Sequence, residues 1–99
     1  MTIEHIVTTI TIMKIEYDEP KNQRNIEERG ISFEIATGFD FENALEVEQS
    51  IAGETRYFAL GMIDDRLHAL AYTLRGDAVR IISLRKANKR EVKYYEQAS

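Results

Sequence analysis

Apolar and polar residues alternate along the start of the chain, which is the pattern of a strand with one buried face. The alternation runs through residues 10–12 and 15–17, but its phase slips at Met13-Lys14. We interpret the slip either as a β-bulge or as the junction between an extra segment and the domain proper. Residues 1–12 are therefore expected to form an additional strand or an extension.

Capping residues predict two helices after this strand. Asp18 can accept a hydrogen bond from the first turn, and Pro20 stands where its missing N–H costs nothing. The helix is expected to stop at Gly30, because glycine readily adopts the left-handed conformation that follows many helices. Ser32 can cap a second, short helix that ends at Gly38.

Strand-like segments dominate the rest of the chain. They lie at 43–48, 55–63, 66–75 and 78–85. Asp64-Asp65 and Gly76-Asp77 separate the last three as two-residue hairpin loops. Asn88 and Glu91 stand at the positions of a capping box, which predicts a final helix. The pattern indicates an α+β fold: an antiparallel sheet of about four strands, two N-terminal helices and one C-terminal helix.

The two hairpin loops determine which residues oppose each other across the last three strands. They pair Thr73 with both Arg56 and Arg80, so these residues form one row across the sheet. Arg75 is expected on the same face. The next row is predicted to contain Phe58, Ala71 and Ile82. A register slip of one residue would move every member to the opposite face, so the prediction depends on the turn type.

Arginines that face one another repel unless an anion or an acidic partner lies between them. The row around Thr73 can therefore be a binding site for a negatively charged group. Two alternatives stay open: the guanidinium groups extend into solvent, or they pair with carboxylates such as Glu54 and Asp77 or others of the acidic N-terminal half.

Composition limits the possible classes of protein. The 99 residues make one domain, which we expect to span residues 1–99. The chain contains no apolar run of the roughly 18 residues that a membrane-spanning helix needs. The N-terminus lacks the basic region and cleavage site of a signal peptide. Cysteine is absent, which excludes disulfides, thiolate zinc sites and cysteine nucleophiles and fits a reducing cytoplasm.

The charge is distributed unevenly along the chain. The net charge is −4, which alone argues against a nucleic-acid-binding protein. However, residues 1–55 carry a balance of −8, whereas residues 56–93 carry +5. The two halves therefore predict an acidic surface and a basic surface, although two ordinary solvated faces explain the same numbers.

The residue types present favour chemistry that needs no metal and no cofactor. His5 and His68 are the only histidines and have no metal-ligand spacing, and Asp64-Asp65 is better explained as a turn. RNA can be cleaved without a metal when its 2′-hydroxyl attacks the adjacent phosphate, provided that cations stabilise the charge and other groups move protons. The cations available are Arg56, Arg75, Arg80 and Arg85. The candidates for proton transfer are Lys21, Glu54, Tyr94 and Tyr95, although Lys21 can equally be a solvated helix residue and the tyrosines can pack the last helix.

Two sets of motif positions extend over most of the chain. The first set is Ile15-Glu16-Tyr17-Asp18, Lys21, Asn25, Gly30-Ile31, Phe33 and Ala36. The second set is Gly53-Glu54, Arg56, Gly61, Tyr72-Thr73, Arg75, Arg80-Ile81-Ile82-Ser83, Arg85, Ala87, Glu91 and Tyr94-Tyr95. Together they resemble the BrnT-like toxin family over about residues 13–96. The run from Arg80 to Arg85, followed by the acidic and aromatic helix, is the most specific part.

The resemblance implies a bacterial protein with a RelE-like fold, ribonuclease activity that inhibits growth, and an antitoxin that binds DNA and represses the operon. The matching polar positions are Asp18, Lys21, Asn25, Glu54, Arg56, Arg75, Arg80, Ser83, Arg85 and Tyr94. Some of these have structural explanations, Asp18 as a helix cap and Asn25 as a bridge from helix to strand. The chain departs from the family pattern at Tyr17, where a tryptophan is usual, and at Glu28-Arg29, where Lys-His is usual.

The leading hypothesis is a metal-independent endoribonuclease toxin that a cognate antitoxin neutralises. Arg56 and Arg80 are expected to bind phosphate and stabilise charge, with Glu54 or Tyr94 transferring protons. Lys21, Arg75 and Arg85 are the predicted RNA-binding residues. The alternative is a catalytically inactive module that only binds a DNA-binding antitoxin and takes part in operon autoregulation, with Arg29 marking the loss of activity. A stand-alone adaptor is a third hypothesis.

Overall fold

Five strands form one sheet in the computed structural model, which describes residues 14–98. The elements in chain order are β1 (Lys14–Tyr17), α1 (Glu19–Arg29), a 3-10 helix (Phe33–Gly38), β2 (Leu45–Ile51), β3 (Glu54–Ile63), β4 (Arg66–Arg75), β5 (Ala78–Lys86) and α2 (Lys89–Ala98). The expected strand or extension at residues 1–12 lies outside the described residues.

The sheet is mixed, and its strand order is β1-β5-β4-β3-β2. The strands β2 to β5 are antiparallel neighbours, whereas β1 runs parallel to β5. The expectation of about four antiparallel strands is therefore corrected to five strands in a mixed sheet. Local turn signals reveal hairpins only, and no such signal marks a parallel pairing between the two ends of the described chain. The second N-terminal helix is a 3-10 helix.

Two-residue loops join the antiparallel strands, as the turn signals predict. Ile63 pairs with Arg66 across Asp64-Asp65, and Arg75 pairs with Ala78 across Gly76-Asp77. A third loop of this kind, Ala52-Gly53, joins β2 to β3, and both of its residues have positive φ. Turns with positive φ angles have a backbone twist that matches the twist of the flanking strands. Such tight turns fix which residues of the two strands pair.

The predicted helix caps are confirmed. Asp18 accepts a hydrogen bond from the Lys21 N–H at 3.2 Å, and Gly30 ends α1 with φ +69°. At the start of α2, the Glu91 N–H donates to Asn88 Oδ1 at 2.8 Å, and the Asn88 N–H donates to Glu91 Oε1 at 2.9 Å. These contacts satisfy N–H groups that have no partner within the helices.

The hydrophobic core lies between one face of the sheet and the layer formed by α1 and the 3-10 helix. Its most deeply buried large side chains include Phe33, Leu70, Tyr72 and Leu84. The buried Asn25 side chain ties the layers together, because its Nδ2 donates to the carbonyls of Ile31 at 3.0 Å and Leu84 at 2.9 Å. The predicted bridge from helix to strand is therefore confirmed. We call the opposite side of the sheet the open face.

A β-bulge at Ile82 decides which residues of β5 reach the open face. Ala71 pairs with Ser83 but Tyr72 pairs with Ile81, so Ile82 is the extra residue. The row beside Phe58 and Ala71 therefore continues with Ser83, and the prediction of Ile82 at this place was wrong. The turn residues gave no signal of a bulge in the middle of a strand.

Candidate functional site

The predicted row of two arginines around a threonine is present on the open face. Thr73 pairs directly with Arg80, and the register that pairs Tyr57 with Tyr72 brings Arg56 opposite Thr73. The Thr73 side chain is buried, and its hydroxyl donates to the Thr55 carbonyl at 2.7 Å. We call Arg56, Thr73 and Arg80 the arginine row, in which the short threonine lies between the two arginines.

Carboxylates pair with the arginines of this region. Arg56 Nε lies 3.0 Å from Glu54 Oε1, and Arg75 Nη2 lies 3.9 Å from Glu54 Oε2. Arg80 Nη1 lies 3.3 Å from Glu16 Oε2 on the neighbouring strand β1. Pairing with carboxylates of the acidic half, which was one of the open alternatives, is therefore observed. The pairs are partly exposed, so they cost little to rearrange when an anion approaches.

Arg85 also lies on the open face, because of the bulge. It lies five positions after Arg80, an odd spacing that places side chains on opposite faces of a regular strand. The extra residue Ile82 restores the phase, since Ala69 pairs with Arg85 and Thr73 pairs with Arg80. Arg85 binds Glu91 of α2 through both terminal nitrogens, at 2.8 and 2.9 Å. This contact raises the pKa of Arg85 and lowers that of Glu91 through the paired hydrogen bonds.

A groove with a volume of about 360 Å³ lies next to the arginine row on the open face. We call it the aromatic groove. Among the side chains that line it are Phe58, Leu60, Ala71, Ser83, Arg85 and Tyr94. Phe58, Ala71 and Ser83 belong to the row adjacent to the arginine row, and Tyr94 reaches the groove from α2. The groove is largely apolar, with charged groups at the Arg85–Glu91 pair.

The remaining predicted site residues are divided between the two sides of the sheet. Glu54 lies at the start of β3 beside Arg56, and Arg75 ends β4 with an exposed side chain. Tyr94 is 61% exposed and lines the aromatic groove. Lys21 belongs to α1, which packs on the opposite side of the sheet from the arginine row, so the structure does not bring it to the others. Tyr95 donates a hydrogen bond to the Asn43 carbonyl at 3.3 Å.

The departure from the family pattern at Glu28-Arg29 lies away from the arginine row. Both residues belong to the last turn of α1, on the core side of the sheet. Arg29 Nη1 donates to Asn25 Oδ1 at 3.0 Å, so it supports the amide that ties α1 to β5. The substitution therefore changes the end of a helix and does not remove a side chain from the row.

A second polar cluster lies on the core side, where β2 meets β3. The buried Tyr72 hydroxyl donates to Glu46 Oε1, and the Tyr57 ring stacks on the Tyr72 ring with centroids 5.2 Å apart. Burial, together with the hydrogen bond to Glu46, raises the pKa of Tyr72 well above its ordinary value. Burial and the nearby carboxylates raise the pKa of Tyr57 as well. Both tyrosines therefore keep their protons in the physiological range.

Sequence reasoning missed the roles of three residues on the open face. Glu16 pairs with Arg80 because β1 lies parallel to β5, a contact that no turn signal announces. Glu91 was expected only as a helix cap, yet it also holds Arg85. Phe58 was placed in the right row, but its role in a groove depends on the position of α2, which hydrophobic periodicity does not give.

Neither a cluster of metal ligands nor a membrane-spanning helix is present in the described residues 14–98. No group of three His, Asp or Glu side chains in that part of the chain is arranged to hold a metal ion. Within the same range, each helix is too short or too polar to cross a bilayer.

Fold and site together define a small α+β protein that presents arginines and an aromatic groove on one face of a mixed sheet. A model of the family described as "ribonuclease toxin, BrnT, of type II toxin-antitoxin system" matches residues 17–91. Because this range covers three quarters of the chain, the chain belongs to the BrnT family. The family implies an RNA target and an antitoxin partner. A search of curated proteins finds no match. Of the predicted site residues, Tyr94 and Tyr95 lie outside the matched range.

Proposed function

We propose that this chain is a metal-independent endoribonuclease that acts as the toxin of a type II pair. One observation carries the proposal: Arg56 and Arg80 flank the buried Thr73 on the open face of the sheet. A ribonuclease must stabilise the charge that develops on the phosphate, and two guanidinium groups across a short residue suit that task. The RelE-like classification and a cytoplasmic location, which the resemblance implies, belong to the same proposal.

The spacing of the arginine row suits one phosphate group. Neighbouring strands lie about 4.8 Å apart, so the backbones of Arg56 and Arg80 are roughly 10 Å apart. Both side chains are long enough to converge on an anion above Thr73. Arg56 uses Nε for Glu54, and Arg80 uses Nη1 for Glu16, so each contact leaves other N–H groups of the same guanidinium to point at a ligand.

Glu54 is the group best positioned to accept a proton beside Arg56. In the proposed step, the RNA 2′-oxygen attacks the adjacent phosphorus while Glu54 takes the 2′-hydroxyl proton. The bond from phosphorus to the 5′-oxygen breaks, and the 5′-oxygen takes a proton, for which the Tyr94 hydroxyl is the proposed donor. The products are a 2′,3′-cyclic phosphate and a 5′-hydroxyl. Arg75 and Arg85 are proposed as further RNA contacts. Lys21 is proposed to contact RNA only where the RNA extends to the opposite side of the sheet.

The cognate antitoxin is proposed to neutralise the toxin by covering this face, and DNA to be bound only through the antitoxin. A second candidate function is an inactive module that only forms this complex. The carboxylates on the arginines favour it, because Glu16, Glu54 and Glu91 already neutralise the charges that RNA needs. The position of Arg29 argues against the inactive module. Arg29 replaces the usual histidine of the family pattern, but it lies away from the arginine row and does not contact the proposed site.

Cleavage by the purified chain tests the proposal. The protein is incubated with RNA in excess EDTA, and the ends of the fragments are identified. The proposal expects fragments with 2′,3′-cyclic phosphates. Expression without a partner should also arrest growth, whereas co-expression with the antitoxin should restore it. Intact RNA at verified soluble expression would support the inactive module, in which case Arg29→His is the variant to assay next.

A further inference from the structure

We propose that the aromatic groove binds one unpaired RNA base, which stacks against Phe58 and Tyr94 while its phosphate lies on the arginine row. This inference rests on the proposed function and adds to it the part of the RNA that the protein recognises. It would make the groove a determinant of sequence preference. The arginine row and the cleavage step do not require that a base occupies the groove, although the proposed cleavage step also uses the Tyr94 hydroxyl.

The two aromatic side chains that line the groove are exposed. Phe58 is 39% exposed and Tyr94 is 61% exposed, and both line the groove. Ala69 and Ala71 form the floor of the groove and leave space between the two rings, because alanine side chains end at the β-carbon. A slot of aromatic rings over a floor of small residues is suited to a flat ligand, and every nucleobase has a flat π face.

The distance to the arginine row fits the two halves of one nucleotide. Phe58 follows Arg56 by two residues on the same face of β3, which corresponds to about 6.8 Å along the strand. A phosphate held by the row therefore has the groove immediately beside it. The positive charge of the row and the apolar groove complement the charged backbone and the flat base of single-stranded RNA.

Polar groups at one side of the groove suit the edge of a base. Ser83, Arg85 and Glu91 line it and offer hydroxyl, guanidinium and carboxylate groups. Such a mixture of mostly apolar walls and a few polar groups is typical of small-ligand sites. A partner helix is roughly 10–12 Å wide with its side chains, and about 360 Å³ holds only a fraction of one. The groove therefore favours a base over a helical protein segment.

Binding of a short 2′-O-methyl RNA oligonucleotide tests the inference, because this probe lacks the attacking hydroxyl and cannot be cleaved. The variants are Tyr94→Leu, Tyr94→Phe and Phe58→Leu. Tyr94→Leu should weaken binding about 5- to 100-fold, since stacking on an aromatic ring contributes this much per base. Tyr94→Phe keeps the ring and should bind as the wild type does. Leu74→Ala is the matched control, because Leu74 is 37% exposed on the core side of the sheet.

Abasic probes identify the base that is held. Each base of the probe is removed in turn. At one position, the removal should weaken binding to the wild type but should not weaken binding to Tyr94→Leu any further. Each variant is first checked for a native melting temperature, and Phe58→Leu, which removes the other ring, provides the answer if Tyr94→Leu is unstable. Equal binding by all variants, or abasic effects that add to the loss of the ring, would overturn the inference.

The outcome is separate from that of the proposed function. Wild-type binding that depends on the Tyr94 ring, without any cleavage of natural RNA, would uphold the groove and reject the ribonuclease step. Variants that bind the probe normally but lose affinity for the antitoxin would overturn the inference in favour of a protein-docking surface.

Discussion

Arg85 at the end of β5 and Glu91 in the first turn of α2 form a two-pronged ion pair, with N–O distances of 2.8 and 2.9 Å. The same Glu91 carboxylate accepts the Asn88 N–H, so one side chain caps α2 and fixes the helix to the sheet. Because α2 carries Tyr94, this pair sets one wall of the aromatic groove. Arg85 therefore has a structural role besides its predicted contact with RNA.

The first prediction concerns this pair at acid pH. Arg85 holds the pKa of Glu91 below its ordinary value of about 4.3. The stabilisation is therefore present above that value and is lost as pH falls through the lowered pKa. Glu91→Gln should lower the free energy of unfolding by about 1 kcal/mol at neutral pH, because Arg85 is 39% exposed and solvent screens the pair. Urea unfolding from pH 7 to pH 3 measures the difference.

The two proteins should converge in stability at the acid end of this series. Lys93→Gln removes an exposed charge of the same helix and serves as the control. A constant difference between wild type and Glu91→Gln down to pH 3 would contradict the assignment.

The second prediction concerns the buried amide that joins α1 to β5. Asn25 donates to two carbonyls of other segments and accepts from Arg29. Asn25→Ala should cost about 2–3 kcal/mol of unfolding free energy, because buried acceptors lose their donor. Equilibrium urea unfolding measures the cost, with Gln23→Ala as the exposed control on the same helix. A loss no larger than that of the control would show that the bridge does not stabilise the fold.

The third prediction concerns alkaline pH. Tyr72 keeps its proton in the folded state because burial and Glu46 raise its pKa, whereas in the unfolded chain it ionises near pH 10. Its stabilisation is thus present below about pH 10 and declines above it. Tyr72→Phe should cost about 1 kcal/mol at pH 7 through the lost hydrogen bond. Between pH 10 and 12, the stability of Tyr72→Phe should fall less steeply than that of the wild type. The difference between the two slopes should be about 1.4 kcal/mol per pH unit.

Thermal unfolding across this range compares the two proteins directly, and changes common to both, such as lysine titration, cancel. Parallel curves above pH 10 would mean that Tyr72 ionises in the folded protein.

Local signals in the sequence predicted much of the fold, because each acts over a few residues. The two-residue loops at Asp64 and Gly76 and the caps at Asp18 and Asn88 all lie where their residue types require. The arginine row follows from those loops by register alone, since hairpin pairing is counted outward from the turn.

The remaining features depend on contacts between distant parts of the chain. Glu16 meets Arg80 only because β1 joins the sheet in parallel, 64 residues before its partner. The bulge at Ile82 is selected by packing, since it keeps Ile81 and Leu84 both in the core. The aromatic groove requires the placement of α2 as well. Periodicity describes one element at a time and cannot supply these relationships.

The fourth prediction tests the bulge. Deleting Ile82 removes only the extra residue, so Arg80 and Arg85 become four positions apart and stay on one face. Ile81 and Leu84 stay in the core. We expect this deletion to keep the fold and to cost about 1–2 kcal/mol. Inserting one alanine after Ile82, with the bulge kept, would instead turn Leu84 towards the open face, and should cost at least about 3 kcal/mol or prevent folding. Circular dichroism and urea unfolding compare the two variants, and a deletion as costly as the insertion would contradict the phase argument.

The central claim is that the arginine row stabilises the charge on the cleaved phosphate. Its most direct test is the rate of RNA cleavage in EDTA by Arg56→Gln and Arg80→Gln, with Arg24→Gln on the opposite side of the sheet as the control. Each row variant should be slower by about 10²- to 10³-fold while keeping its melting temperature, because one charge-stabilising donor is lost. The control should cleave at the wild-type rate. Row variants that cleave RNA as fast as the wild type would contradict the account.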